Sequence, residues 1–171
     1  MAEFEPAFQR QMKNEGGFRL HEIKGDSGGM TYAGIARNKW PNWAGWKIID
    51  RGDMENPMLT QLVREFYIEE FWSKIKGDEI VSEDIAYTLF GMAINSGRRT
   101  AIRIAQTVVG TLPDGALGPK TLKAINDYPD TERFVAYFAL GRLARYRNIC
   151  FNKRSQTKFL LGWLDRTLRT L

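Results

Sequence analysis

At 171 residues, with 43% hydrophobic and 12% aromatic content, the chain is long enough to bury a sizeable core and too apolar for a disordered tail. No run reaches the ~18 apolar residues a membrane span needs, and the acidic start, with Glu3 and Glu5, lacks the pattern of a signal peptide. One cysteine, Cys150, leaves no internal disulfide, and the single histidine, His21, has no Cys/His set with which to hold zinc. No metal or cofactor is expected.

Charge is unevenly spread. The net +5 divides into −4 over residues 1–94 and +9 over residues 95–171. A basic half of this kind is either a set of solvated helix faces or a footing for a polyanion, nucleic acid or an anionic cell wall. Arg103, Arg142, Arg145 and Arg147 are scattered along helices and no nucleic-acid motif accompanies them, so nucleic acid is not the expected partner.

In chain order, Phe4, Phe8 and Met12 form the stripe of an amphipathic helix that Gly16-Gly17 ends. From Phe18 to Ile35 the helical period is lost and glycines punctuate, predicting a small hairpin or looped sheet with Met30-Thr31-Tyr32 as a strand. Pro41 to Gly52 reads as a loop, with Trp40, Trp43 and Trp46 in and beside it. Asn56-Pro57 opens a helix with Leu59, Leu62, Val63 and Phe66 on one face, and Ser82 caps another with Ile85, Leu89 and Met92 inward. A break at Asn95-Ser96-Gly97 precedes a helix from Thr100 to Val109 and a turn at Pro113-Asp114-Gly115. Gly118-Pro119 starts a short helix, Thr131 caps a long one through about Ile149, and Lys158 to Leu171 is the last. The expectation is one mainly α body with a minor β element and no linker between its halves.

Glu15 is the sharpest chemical feature. It continues the buried stripe of the first helix and sits at that helix's negative end. Partial burial and the dipole both disfavour the carboxylate form, so both should raise its pKa, as protonation of a glycosidic oxygen requires. The two following glycines clear side chains from whatever it faces. Asp26, in a glycine-rich loop, is either a turn aspartate or a second carboxylate that holds a water across a sugar ring. The Thr31 hydroxyl is placed to help position that water. Glu22 and His21 lie in the same region, His21 as a surface loop residue.

Glu15-Gly16-Gly17-Phe18 followed by Asp26-Ser27-Gly28-Gly29-Met30-Thr31-Tyr32-Ala33-Gly34-Ile35 resembles the signature of glycoside hydrolase family 108, the lysozyme-like N-acetylmuramidases. Asn95-Ser96-Gly97, the Asp114 to Leu122 stretch, Tyr146, and Gly162-Trp163 with Arg166 resemble the peptidoglycan-binding region that accompanies it. The resemblance implies a lysozyme-like α+β fold, with a small β-hairpin beside the catalytic helix. It implies a single domain over 1–171, with 1–94 the catalytic region and 95–171 the helical, peptidoglycan-binding lobe. It implies cleavage of the β-1,4 bond between N-acetylmuramic acid and N-acetylglucosamine, with Glu15 as acid. The Glu15-to-Asp26 stretch is longer than the family's usual pattern, so Glu22 stands beside Asp26 as second carboxylate.

For substrate contacts the candidates are Tyr32, Asn95 and Gln106. Asn95 is otherwise a helix-terminating residue, and Gln106 a solvated one. Any of the three tryptophans is a candidate to stack on a sugar. The expected partner is peptidoglycan glycan and the expected state a monomer, made in the cytoplasm and released to the wall by a holin-type route. A wall-binding or secretion-associated protein without catalysis is the alternative.

Overall fold

The computed structural model describes the chain except residues 15–16, 23–28 and 171. The described residues form two compact units, Phe4–Ser73 and Lys74–Leu171, the latter joined by Met1–Glu3.

The smaller unit opens with α1 (Phe4–Asn14), whose Phe8, Gln11 and Met12 are buried. Three short strands follow, β1 (Leu20–Glu22), β2 (Met30–Tyr32) and β3 (Ile35–Ala36), in an antiparallel sheet of order β1-β2-β3. The expected hairpin therefore carries a third strand. Ala33 and Gly34 both have positive φ, 47° and 80°, giving the two-residue turn whose twist matches flanking strands. Next come α2 (Gly45–Ile49) and α3 (Pro57–Tyr67). The stretch Pro41 to Gly52, read as a loop, thus holds a short helix, whose Trp46 and Ile49 are buried. Asn56 caps α3 as expected, its side chain accepting from the Met58 N–H with Pro57 at the first turn. Beyond α3 a π-helical turn, Ile68–Trp72, buries Trp72 with its ring 5.8 Å from that of Phe4.

The larger unit is helical: α4 (Glu83–Ser96), α5 (Arg98–Val109), α6 (Pro119–Asn126), α7 (Thr131–Asn152) and α8 (Leu160–Leu168). Ser82 caps α4, which is buried along nearly its whole length from Ile85 to Ala93 and packs against α5 and α7. The Ala2 N–H donates to the Ile80 carbonyl, 2.7 Å away, bringing the first residues into this unit. Two boundaries differ from expectation. Asp130, not Thr131, caps α7, accepting from the Arg133 N–H, and the helix runs on to Asn152. The last predicted helix is a 3-10 stretch, Arg154–Phe159, followed by α8. No helix among the described residues is long and apolar enough to cross a membrane.

Candidate active site

The expected acid and second carboxylate, Glu15 and Asp26, lie outside the described residues. α1 is held by α3. Phe8 stacks on Phe4 and meets the ring of Tyr67 5.6 Å away, while Glu5 pairs with Arg64 of α3, whose guanidinium also lies over Phe8. Beyond the helix the Gly17 N–H donates to the Met12 carbonyl at 2.9 Å, and Gly17 itself has a left-handed φ of +80°.

The next segment is tied to the sheet. Ala33 N–H donates to the Arg19 carbonyl, and β1 pairs with β2 so that Leu20 opposes Tyr32, His21 opposes Thr31 and Glu22 opposes Met30. Thr31 is half-buried and its hydroxyl donates to the Gly29 carbonyl at 3.3 Å. Its cross-strand partner His21 is exposed on a strand, not in a loop. Neighbours along a strand face opposite ways, so Tyr32 points away from Thr31. The Tyr32 ring is buried, stacked 6.2 Å from Trp43 and near Phe18, and burial raises its pKa. It serves the core of the sheet rather than offering an open face to a ligand.

A hollow of about 460 Å³ opens in the same unit, walled by Trp40, Trp43 and Phe66 and rimmed by Glu65, Glu69 and Glu70. Trp40 meets Phe66 edge-on at 4.9 Å, and the Trp43 indole N–H donates to the Leu62 carbonyl. Trp46 is excluded from it: the ring is buried and its N–H donates to the Trp40 carbonyl at 2.8 Å. Two of the three tryptophans are therefore available for stacking. Its glutamates, spaced over one turn of chain from α3 onward, were not foreseen, although their 65, 69 spacing marks one helix face. Among the described residues no group of three His, Cys, Asp or Glu side chains is placed to hold a metal ion.

The other two predicted contacts belong to the larger unit. Asn95, in the last turn of α4, donates to the Gly91 carbonyl at 2.7 Å and accepts from the Arg166 guanidinium of α8. Gln106 is a correction. It is 1% exposed rather than solvated, its amide nitrogen near Asp114 Oδ1 (2.8 Å) and the Ala116 carbonyl (3.0 Å), while its oxygen accepts from the Gly115 N–H at 2.8 Å. With both ends of the amide engaged and the side chain buried, it braces the Asp114 turn.

A mainly helical chain with a small three-stranded antiparallel sheet has a lysozyme-like α+β fold. Residues 8–97 match the glycosyl hydrolase 108 family, and residues 100–168 match a predicted peptidoglycan domain. The chain belongs to glycosyl hydrolase family 108. Eleven chains of solved structures match. Among them is the structure of SagA from Brucella abortus, 26% identical, with a TM-score of 0.71, covering 98% of this chain and 90% of that one. No curated protein matches.

Proposed function

We propose that the protein hydrolyses the β-1,4 bond between N-acetylmuramic acid and N-acetylglucosamine, with Glu15 as the general acid. The observation that carries this reading is the family match over residues 8–97, which spans Glu15, Glu22, Asp26 and Thr31. In the chain Glu15 directly follows Asn14, the last residue of α1. In the reaction the Glu15 proton passes to the glycosidic oxygen as the bond from the anomeric carbon breaks. A water, held by Asp26 or Glu22 and by the Thr31 hydroxyl, supplies the oxygen that replaces it, or attacks after one carboxylate has done so; carboxylate separation decides which. The Trp40 and Trp43 faces supply a stacking surface for a sugar ring.

The test is Glu15→Gln, which keeps size and removes the proton. It should still fold by circular dichroism, yet lose ~10²–10⁴ of the rate at which purified sacculi are cleared. Mass analysis of wild-type fragments should show reducing N-acetylmuramic acid ends. Wild-type protein that is retained on sacculi and releases no new ends would leave binding alone; a Glu15→Gln variant of full activity would remove the assignment.

A further inference from the structure

A helix on the surface of a protein normally turns polar residues outward. α7 does not. One stripe, Phe134, Phe138, Arg142, Tyr146 and Cys150, is buried at a spacing of four. The opposite stripe, Tyr137, Leu140, Ala144, Arg147 and Phe151, is exposed and still largely apolar. It does not stand alone. Tyr137 and Leu140 line a hollow against α5 and also a second one against α8, whose floor includes Leu143, Leu164 and Leu168. Leu143 and Leu164 continue into a third, which reaches Phe151. The three adjoin through shared residues, so the apolar surface is continuous. Its most prominent side chains stand clear of it: Leu140 is 59% exposed, Phe151 61% and Leu168 65%. An apolar patch of this kind marks an interaction surface.

Charge selects the occupant. Arg103 and Arg145 rim the first hollow, Arg147 and Arg154 the third, and no acidic side chain among the described residues lines any of them. From Arg142 onward the chain carries eight basic residues against a single acidic one, Asp165. A second copy docked by a two-fold axis would set this patch against itself, arginines against arginines. The occupant is therefore anionic as well as apolar. Two of the cations sit over aromatic rings, Arg147 over Phe151 and Lys158 over Phe159, each at 4.9 Å, so ring and charge share one tip. Protruding apolar groups with long cationic chains beside them suit a bilayer surface, where the former enter the acyl region and the latter meet phosphate.

We propose that the α7–α8 face, from Tyr137 to Leu168, docks the protein peripherally on an anionic lipid bilayer. The hydrolase would then work on wall lying beside a membrane, held there by a face distinct from the candidate active site.

The test is flotation with vesicles of phosphatidylcholine alone and with about 30% phosphatidylglycerol, near the anionic content at which polybasic faces engage membranes. The full chain should bind the anionic vesicles at least about ten-fold more tightly, and lose that advantage as salt is raised. Leu140→Ser combined with Leu168→Ser alters exposed positions of the patch only, so the variant should melt like wild type, yet bind anionic vesicles about ten-fold less. Glu15→Gln, which should lose sacculus clearing, should float with anionic vesicles as wild type does, which separates this proposal from the muramidase reading. Failure to bind anionic vesicles would overturn the proposal in favour of an acidic protein partner. Binding that ignores the double substitution would overturn it too, because attraction by the basic half in general would then suffice. So would a concentration-dependent dimer in sedimentation that the substitution dissolves.

Discussion

The Tyr67 hydroxyl donates a buried 2.9 Å hydrogen bond to the Ala33 carbonyl, so the tip of the β2–β3 hairpin hangs from the end of α3. Gly34 makes this contact possible: a Cβ there would lie 2.5 Å from that hydroxyl, at a φ of +80°. Gly34→Ala should cost about 2–4 kcal/mol, combining left-handed strain with overpacking, read by urea denaturation. Gly17→Ala, at the same φ but with no described atom within 4 Å, should cost only about 1–2 kcal/mol. Equal losses at the two sites would show that the Tyr67 contact contributes nothing.

Gln106 predicts a different outcome from the substrate role first expected of it. Gln106→Ala should lower stability by about 2–4 kcal/mol, because it strands the Gly115 N–H and leaves a void in a filled site. Sacculus clearing at a temperature where the variant is folded should match wild type. A variant that is stable but weak in substrate affinity would reverse this and restore the earlier role.

Acid sensitivity follows from the same turn. The Ala116 N–H and the Gln106 amide donate to the Asp114 carboxylate and hold its pKa below the ordinary aspartate value. Arg37 does the same to Asp50 through a bidentate pair at 2.6 and 2.7 Å. A carboxyl whose folded pKa is depressed contributes stability above its unfolded pKa, about 3.9, and loses it as pH falls through the lower folded value. Melting temperatures should therefore drop from about pH 4 downward, less steeply in Asp114→Asn and Asp50→Asn than in wild type. Parallel acid slopes in all three proteins would argue against both assignments.

The second carboxylate can be found by substitution. Asp26→Asn should lower clearing by ~10²–10⁴, while Glu22→Gln should change it less than about ten-fold. The opposite pattern would transfer the role to Glu22.

Much of the fold was legible because its signals are local. The Asn56-Pro57 start, the Ser82 cap and the Phe4, Phe8, Met12 stripe each act within one or two turns of chain, and all appear where expected. α2 escaped because five residues are too few to establish a helical period. Asn95 and Gln106 were chosen as free amides, and their partners were invisible for a physical reason. Arg166 lies 71 residues from Asn95, and the Asp114 turn folds back on Gln106 through a bend that no periodicity encodes. The sequence reading of the site centred on Glu15 and Asp26 rests on motif order, and only its frame, α1, Gly17 and the Thr31 strand, has geometry to set beside it.

Asn95 and Arg166 themselves offer a clean measure of how firmly α8 is tied down. A double-mutant cycle with Asn95→Ala and Arg166→Ala should give a coupling of about 0.5–1.5 kcal/mol. Simple additivity would mean that the contact is too wet to matter.

The placing of Ala2 against Ile80 has a bearing on how the chain acquires its shape as it is made. Residues of the smaller unit are contiguous, so everything it needs has left the ribosome once Ser73 emerges. The larger unit instead begins with three residues and must wait, through the whole intervening segment, for the stretch that receives them. Closing a loop of that length carries an entropic penalty that grows only slowly with size, and prior compaction of the intervening segment shortens the distance to be spanned. Assembly thus has a built-in order, in which Met1–Glu3 take their place only after the whole of the smaller unit has been made.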